Sequence, residues 1–152
     1  MEPFKIKNFR EAHPGVEPPW FQTLSEPEAL EISNRLTSKL GFSEGPINPL
    51  QLVETVYSKS VFVDGLNAEK DGFSLASVFE RVGVATPEVI LIDWYRFDKI
   101  TRMKSADVIQ YFDDVWYPGP DDIFLFPQSL EWILLVDHGG YMNFLHLGKT
   151  PG

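Results

Sequence analysis

The stretch Asp121–Leu147, DDIFLFPQSLEWILLVDHGGYMNFLHL, is the densest apolar and aromatic segment of this 152-residue chain. Short polar breaks separate its apolar runs, and Gly139-Gly140 lies between the last two. Adjacent glycines between apolar runs are typical of a hairpin, because type I′ and II′ turns need positive φ. The sequence therefore predicts a three-stranded antiparallel meander, around which the rest of the chain packs.

A two-residue turn at Gly139-Gly140 would fix the register of the last hairpin. One face of the predicted pair carries His138 opposite Tyr141, Val136 opposite Asn143, Leu134 opposite Leu145 and Trp132 opposite Leu147. The other face carries Ile133, Leu135 and Asp137 together with Met142, Phe144 and His146. Because side chains alternate along a strand, a slip of one residue would exchange these faces.

Both predicted faces of the hairpin are largely apolar, and burial of each large apolar side chain stabilises the fold by about 1.5–3 kcal/mol. We expect helices to cover one face and the N-terminal arm to cover the other. The alternatives are that one face stays open as an aromatic docking or ligand surface, or that it forms a homodimer interface. If helices cover both faces, the candidate surface is restricted to the acidic rim and the Gly139-Gly140 end.

The upstream sequence contains several predicted helices and strands. Ser25-Glu26-Pro27-Glu28 has the pattern of a capping box and begins a helix that ends at Gly41. Asn48-Pro49 begins a second helix, which has Tyr57 in its apolar stripe. Further predicted elements are a short strand over 60–63, a helix over 74–81, a strand over 87–94, an ambiguous strand or loop over 95–104, and a helix that Ser105 caps and 117–120 ends.

The order of these elements predicts a single α+β domain over residues 1–152. A mainly antiparallel sheet, ending in the C-terminal meander, packs against three to four helices. Residues 1–24 are predicted to form an irregular Pro-rich arm, because Pro14, Gly15 and two further prolines interrupt regular structure. Within it, Phe4, Ile6 and Phe9 could form a short edge strand.

Composition excludes several classes of function. The net charge of −9 argues against direct binding to nucleic acid, which requires clustered positive charge. The chain has no cysteine, and this excludes disulfides and thiolate chemistry. The first residues do not form a secretory signal, and no apolar run is long enough to cross a membrane. We expect a soluble, cytoplasmic, bacterial protein with no membrane partner.

Acidic and aromatic residues are concentrated in the C-terminal third. Between Ser105 and Gly152 there are seven acidic side chains and one basic one, Lys149. This excess either provides solubility or attracts a basic partner by long-range electrostatics. Aromatic side chains, which dominate interface hot spots, are frequent in the same region.

The candidates for chemistry are few. Asp137 and His138 are neighbours on a strand, so their side chains point to opposite faces and cannot orient each other as a catalytic pair. Asp113-Asp114 and Asp121-Asp122 could converge on a divalent cation, but their spacing matches no calcium-loop motif. The sequence also lacks the common hydrolase, metalloprotease and nucleotide-binding motifs. We predict no catalytic residue, no metal and no cofactor.

The segments WYPGPDDIFLF (116–126) and SLEWILLVDHGGY (129–141) resemble small bacterial immunity-type proteins of the SMI1/KNR4-like (SUKH) set. The resemblance covers the last third of the chain, and no site residue is transferred from it. It implies a protein that binds and inhibits a toxin. Since nuclease toxins are often basic, an acidic inhibitor would complement such a partner.

We therefore expect a non-enzymatic protein-binding module. It would use an acidic, aromatic surface to bind a basic protein partner, such as a toxin domain. The predicted surface residues are Trp116, Tyr117, Asp121, Asp122, Asp137 and Tyr141. The alternative is a small-ligand-binding or enzymatic domain with a pocket beside the meander. That pocket would be formed by His138, Tyr141 and Asn143.

Overall fold

The computed structural model describes residues 1–42, 49–94 and 99–148. The helices in these ranges are α1 (Pro3–Ala12), α2 (Glu26–Leu40), α3 (Pro49–Lys59), α4 (Leu75–Val82), α5 (Ser105–Gln110) and α6 (Phe112–Val115). The strands are β1 (Phe21–Thr23), β2 (Val61–Phe62), β3 (Val89–Asp93), β4 (Ile100–Lys104), β5 (Ile123–Pro127), β6 (Trp132–Val136) and β7 (Met142–His146). The predicted α+β class is confirmed.

The strands form one seven-stranded sheet in the order β1-β4-β3-β5-β6-β7-β2. Every pairing is antiparallel, and β5, β6 and β7 form the predicted C-terminal meander. All residues of β5 and β6 are buried. The most apolar stretch of the sequence therefore lies in the middle of the sheet, and β1 and β2 form its edges.

Helices cover both faces of the sheet. On the first face, α4, α5 and α6 pack against the layer that contains Trp132, Leu134 and Val136. On the second face, α2 and α3 pack against the layer that contains Ile133 and Leu135. The second face is thus covered by helices and not by the N-terminal arm as predicted. The candidate surface is therefore restricted to the rim of the sheet and the turn end of the last hairpin.

The predicted register of the β6–β7 hairpin is wrong by one residue. Leu134 pairs with Phe144, and Trp132 pairs with His146. The loop has three residues, because Gly140 N donates to Asp137 O and Asp137 N donates to Tyr141 O. In that range only Gly140 has positive φ, at 83°, as in a type I turn followed by a G1 bulge. The added loop residue exchanges the two faces of β7 relative to the prediction.

The predicted irregular N-terminal arm is wrong for residues 3–12, which form α1, and Phe4, Ile6 and Phe9 are therefore not an edge strand. Pro3 is accepted at the start of the helix because first-turn amides need no intrahelical partner. Lys5 and Phe9 lie one turn apart and are both buried. Contacts with α6 and its flanking residues thus stabilise a helix whose own sequence has weak helical periodicity.

Residues 21–23 of the predicted irregular arm also have regular structure, since they form the edge strand β1. The other predicted helices and strands agree with the structure except around Ser105. The Ser25–Glu28 capping box is present, and Gly41 ends α2 in the left-handed conformation. The helix predicted from Ser105 is divided at Tyr111 into α5 and α6, and Ser105 is its first residue and not its cap. Two predictions lie outside the described residues. They are the helix start at Asn48 and the ambiguous strand or loop over residues 95–98. In the described ranges, no helix is long and apolar enough to span a bilayer.

Candidate functional site

Two turns meet at one end of the sheet, one over residues 117–122 and the other over residues 137–141. Gly119 N donates to His138 O at 3.0 Å, and His138 N donates to Asp122 Oδ1 at 2.7 Å. We call this end the turn surface and define it by Tyr117, Asp121, Asp122, Asp137, His138 and Tyr141. It contains every partner-binding residue predicted from the sequence except Trp116.

Trp116 is buried, with 1% of its surface exposed, so its predicted role as a surface residue is wrong. Its indole Nε1 donates to Asp121 O at 3.0 Å, and its ring stacks on Phe112. In the sequence, Trp116 continues the 3–4 spacing of Val108, Phe112 and Val115, which is typical of the buried face of a helix. The contacts with Asp121 and Phe112 hold the start of the 117–122 turn against the core.

Asp121 is paired within the protein. Its Oδ2 accepts a short hydrogen bond from Lys5 Nζ and a second, at 2.8 Å, from Tyr117 N. Lys5 Nζ also donates to Val115 O at 2.8 Å and lies 3.7 Å from the centre of the Tyr117 ring. Burial lowers the pKa of Lys5, and the Asp121 carboxylate opposes this shift. Since Lys5 neutralises it, Asp121 adds little charge to the surface.

Asp122 orients His138. The Asp122 Oδ1 atom accepts the backbone N–H of His138 at 2.7 Å and lies 3.1 Å from the imidazole Nδ1. Both side chains are partly exposed. The sequence suggested only Asp137 as a neighbour for His138, because Asp122 is distant along the chain. The pair holds the imidazole in place, and the Asp122 carboxylate remains accessible.

Asp137 organises the β6–β7 turn. Its Oδ1 accepts from Gly139 N at 2.9 Å and from Tyr141 N at 3.0 Å, while its Oδ2 accepts from Tyr57 Oη at 2.9 Å. These donors are neutral, so the carboxylate keeps its charge. Desolvation raises the pKa of Tyr57 to about 12, with further contributions from the hydrogen bond and charge of Asp137 and from the charge of Asp122.

Exposed apolar side chains continue from this turn onto the edge of the sheet. The exposed fractions are 44% for Tyr57, 72% for Val61, 47% for Phe62 and 53% for Tyr141. The rings of Phe62 and Tyr141 lie 6.1 Å apart. We call these four residues the edge patch. Sequence reasoning found only Tyr141, since Tyr57 was assigned to an apolar helix stripe and β2 has only two residues.

The three residues of the predicted ligand pocket do not face a common space. Asn143 is buried and donates to Ser60 Oγ at 3.1 Å. The exposed His138 contacts Asp122, whereas Tyr141 lies against Phe62. The corrected register explains this separation, because Asn143 pairs with Leu135 and Phe62 within the sheet.

The acidic pairs that flank the 117–120 turn do not converge. Asp114 Oδ2 lies 2.9 Å from His13 Nε2, while Asp121 binds Lys5 and Asp122 binds His138. Over residues 1–42, 49–94 and 99–148, no three His, Asp or Glu side chains are arranged to hold a metal ion. Asp114 instead attaches the residue after α1 to α6, whereas Asp121 and Asp122 attach α1 and the β6–β7 turn to the turn over 117–122.

Comparison with protein-family models, curated proteins and solved structures gives no match. The turn surface and the edge patch together have two distinctive features. They are the exposed aromatic side chains of the edge patch and the carboxylates of Asp122 and Asp137, which pair with no Lys or Arg among the described residues.

Proposed function

We propose that this protein is a non-enzymatic binding module, of the immunity-inhibitor type, that engages a basic protein partner. Its contact region is the turn surface together with the adjoining edge patch. The observation that carries this proposal is the exposed pair of rings, Phe62 and Tyr141, beside the Asp137 carboxylate. This combination provides an apolar anchor and a charge at one place.

The aromatic side chains supply the expected affinity. Tyrosine and other large aromatic residues dominate the energetics of protein interfaces, and they do so near the centre of the contact. Phe62 and Tyr141 are about half exposed, so a partner can bury additional apolar area on both rings. We infer that these two residues lie at the centre of the interface and that the acidic groups lie at its rim.

The acidic side chains supply attraction and orientation. The protein carries a net charge of −9, and Asp122 and Asp137 retain their charges at the turn surface because no Lys or Arg in the described residues pairs with them. Complementary charge mainly raises the association rate and selects the partner. A positively charged partner is therefore favoured over a neutral or acidic one.

The turn surface is held rigid before any partner binds. Asn67 Nδ2 donates to Gly139 O at 3.2 Å, and Ala68 N donates to Gly140 O at 2.9 Å. Together with the three bonds to Asp137, these contacts fix the β6–β7 turn on the 64–73 loop. A surface that is already ordered loses less conformational entropy on binding.

The direct test uses, as the candidate partner, any basic toxin that a neighbouring gene encodes. Its affinity for this protein is measured by calorimetry for the unmodified chain and for the variants Tyr141→Ala, Phe62→Ala and Leu30→Ala. Truncation of an interface hot spot weakens binding by about tenfold or more. Leu30 is an equally exposed apolar residue on α2, at 58%, and its truncation should leave the affinity unchanged.

The inhibitory role is tested by co-expression with that toxin in a sensitive host. The unmodified protein and Leu30→Ala should restore growth, whereas Tyr141→Ala should not restore it at matched protein levels. If Tyr141→Ala and Leu30→Ala bind the toxin and restore growth as well as the unmodified protein does, the partner does not bind at the proposed surface.

A further inference from the structure

The edge strand β2 has an open side. Among the residues that the structure describes, it is the last strand in the sheet order and pairs only with β7. Both of its residues are exposed. An edge strand presents unpaired backbone groups, which can accept a strand from another chain.

The hydrogen-bond pattern identifies the available groups. Val63 N donates to Met142 O at 2.9 Å, so positions 63 and 142 form a hydrogen-bonded pair. In an antiparallel ladder such pairs alternate with non-bonded ones, and Phe62 with Asn143 is the neighbouring, non-bonded pair. The backbone N–H and C=O of Phe62 therefore point away from β7, toward the open side.

The two faces of this edge differ in chemistry. Phe62 lies on the face that carries Tyr57, Asp137 and Tyr141. This face suits an arginine or lysine, since aromatic rings and a carboxylate both attract a cation. Along an added strand, every second side chain would lie on this face.

The opposite face contains a cavity beside β2. Its volume is about 260 Å³, and its apolar lining includes Val61, Val82 and Phe144. Asp64, Arg81 and His146 also line it, so its charged side chains are of both signs and its apolar lining decides which side chain fits. The cavity therefore suits an aliphatic side chain. In the added strand, this aliphatic residue would directly follow the basic one.

We propose that the basic partner docks through an extended segment that adds antiparallel to β2, with basic and aliphatic side chains alternating along it. The basic residues lie against Tyr57, Tyr141 and Asp137, and the aliphatic residues enter the cavity beside Val61. This inference rests on the proposed function and specifies how the partner binds. Strand addition of this kind takes affinity from the backbone bonds and selectivity from alternate side chains.

A second copy of the chain is the competing occupant of the edge. Two copies would each carry a charge of −9 and would repel each other. This repulsion disfavours self-association. A basic segment encounters no such repulsion, which is why it is the occupant proposed.

The probe is a short synthetic peptide in which arginine and valine alternate, measured by fluorescence anisotropy. A block isomer, with all arginines before all valines, has the same charge and composition but no alternation. Two further isomers carry N-methyl groups on the arginines or on the valines. In antiparallel pairing the residue bonded to Phe62 has its side chain on the Phe62 face. Methylation of the arginines therefore removes the hydrogen bond that the arginine N–H would donate to Phe62 C=O.

We expect the alternating peptide to bind at least about tenfold more tightly than the block isomer, whose side chains cannot match both faces of the edge. It should exceed the N-methylarginine isomer by a similar factor, because that isomer cannot donate a backbone hydrogen bond to Phe62 C=O. The N-methylvaline isomer should bind like the parent peptide. Hydrogen exchange of the Phe62 amide should slow when the alternating peptide is added. Equal binding of all four peptides, or an unchanged Phe62 exchange rate, would overturn the proposal.

The peptide experiment and the test of the proposed function can fail independently of each other. If Tyr141→Ala weakens partner binding while the peptides do not distinguish strand geometry, the interface stands and strand addition is wrong. If sedimentation shows a dimer that Phe62→Ala abolishes, the occupant of β2 is a second copy, which also overturns this inference.

Discussion

Tyr57 Oη donates a 2.9 Å hydrogen bond to Asp137 Oδ2 and thereby joins the end of α3 to the turn between β6 and β7. The same carboxylate accepts two backbone N–H groups of that turn. One side chain therefore sets the shape of the turn and its position relative to the edge patch. Exposed aromatic groups from three different segments are kept together by this contact.

Replacement of Tyr57 by phenylalanine should lower the free energy of unfolding by about 0.5 kcal/mol, the lower end for a hydrogen bond, because the bond is partly exposed. Urea unfolding of the two proteins at neutral pH measures this difference. Ser58→Ala, on the same helix, should have a comparable or smaller effect, since the Ser58 hydroxyl bonds only to Thr55 O of its own helix. A loss above about 2 kcal/mol would exceed the contribution of one partly exposed hydrogen bond and would contradict this prediction.

The pH dependence of stability should report Tyr57. Its pKa is raised from 10.0 to about 12 in the folded protein, so between these values the unfolded chain releases the proton and the folded chain keeps it. Stability therefore declines with rising pH across this window. The decline should be shallower for Tyr57→Phe, as measured by urea unfolding at several alkaline pH values. Identical slopes for the two proteins would contradict this assignment.

The Lys5–Asp121 pair should be strongly coupled. Lys5→Met leaves the Asp121 carboxylate partly buried without its cation, and loss of one member of a buried pair costs about 3 kcal/mol. The double variant Lys5→Met/Asp121→Asn should be less destabilised than the sum of the single variants by more than about 1 kcal/mol. Thermal unfolding of all four proteins gives the coupling energy, and strict additivity would show that the pair does not interact.

Gly140 should tolerate no side chain. A Cβ at this position would lie 2.3 Å from Asn67 Oδ1 and 2.9 Å from Glu69 N, in a backbone with φ of 83°. Gly83 has a similar φ of 77°, but a Cβ there meets nothing within 4 Å. Gly83→Ala should therefore cost about 1–2 kcal/mol from backbone strain alone. Gly140→Ala should cost clearly more in the same unfolding measurement, and equal costs would contradict the described packing of the loop.

Two serine variants should have opposite effects on stability. Ser105 Oγ is buried without a hydrogen-bond partner in the described structure, so Ser105→Ala removes a desolvation penalty and should stabilise the protein by up to about 1 kcal/mol. Ser25 caps α2 through the N–H of Glu28, and Ser25→Ala should destabilise it by about 1 kcal/mol. Calorimetric melting temperatures should move in opposite directions, and a lower value for Ser105→Ala would indicate a missed partner.

The sequence predicts the elements that local signals determine. The apolar run within Val89–Asp93 identifies a strand buried on both faces, and the Ser25–Glu28 capping box identifies the start of α2. By contrast, α1 depends on distant contacts. Its Lys5 bonds to Val115 O, 110 positions along the chain, and no local pattern reveals such a partner.

The candidate surface was only partly predictable for a similar reason. Asp137 and Tyr141 are recognisable in the sequence because they flank the glycine turn. The sequence does not reveal that Asp137 stabilises a three-residue loop there. Tyr57 and Phe62 join the surface only because α3 and β2 both contact β7. Exposure of an aromatic residue at a sheet edge depends on this tertiary arrangement, and periodicity alone predicts burial instead.

The proposed function requires that a basic protein contacts the surface around Tyr141. It is tested most directly by placing a photoreactive phenylalanine analogue at position 141 in one sample and at position 30 in another, then irradiating each in the native host. We expect one basic protein to be cross-linked in stoichiometric amounts from position 141 and not from position 30. Equal cross-linking from both positions, or none from position 141 while the same protein is captured from position 30, would contradict it.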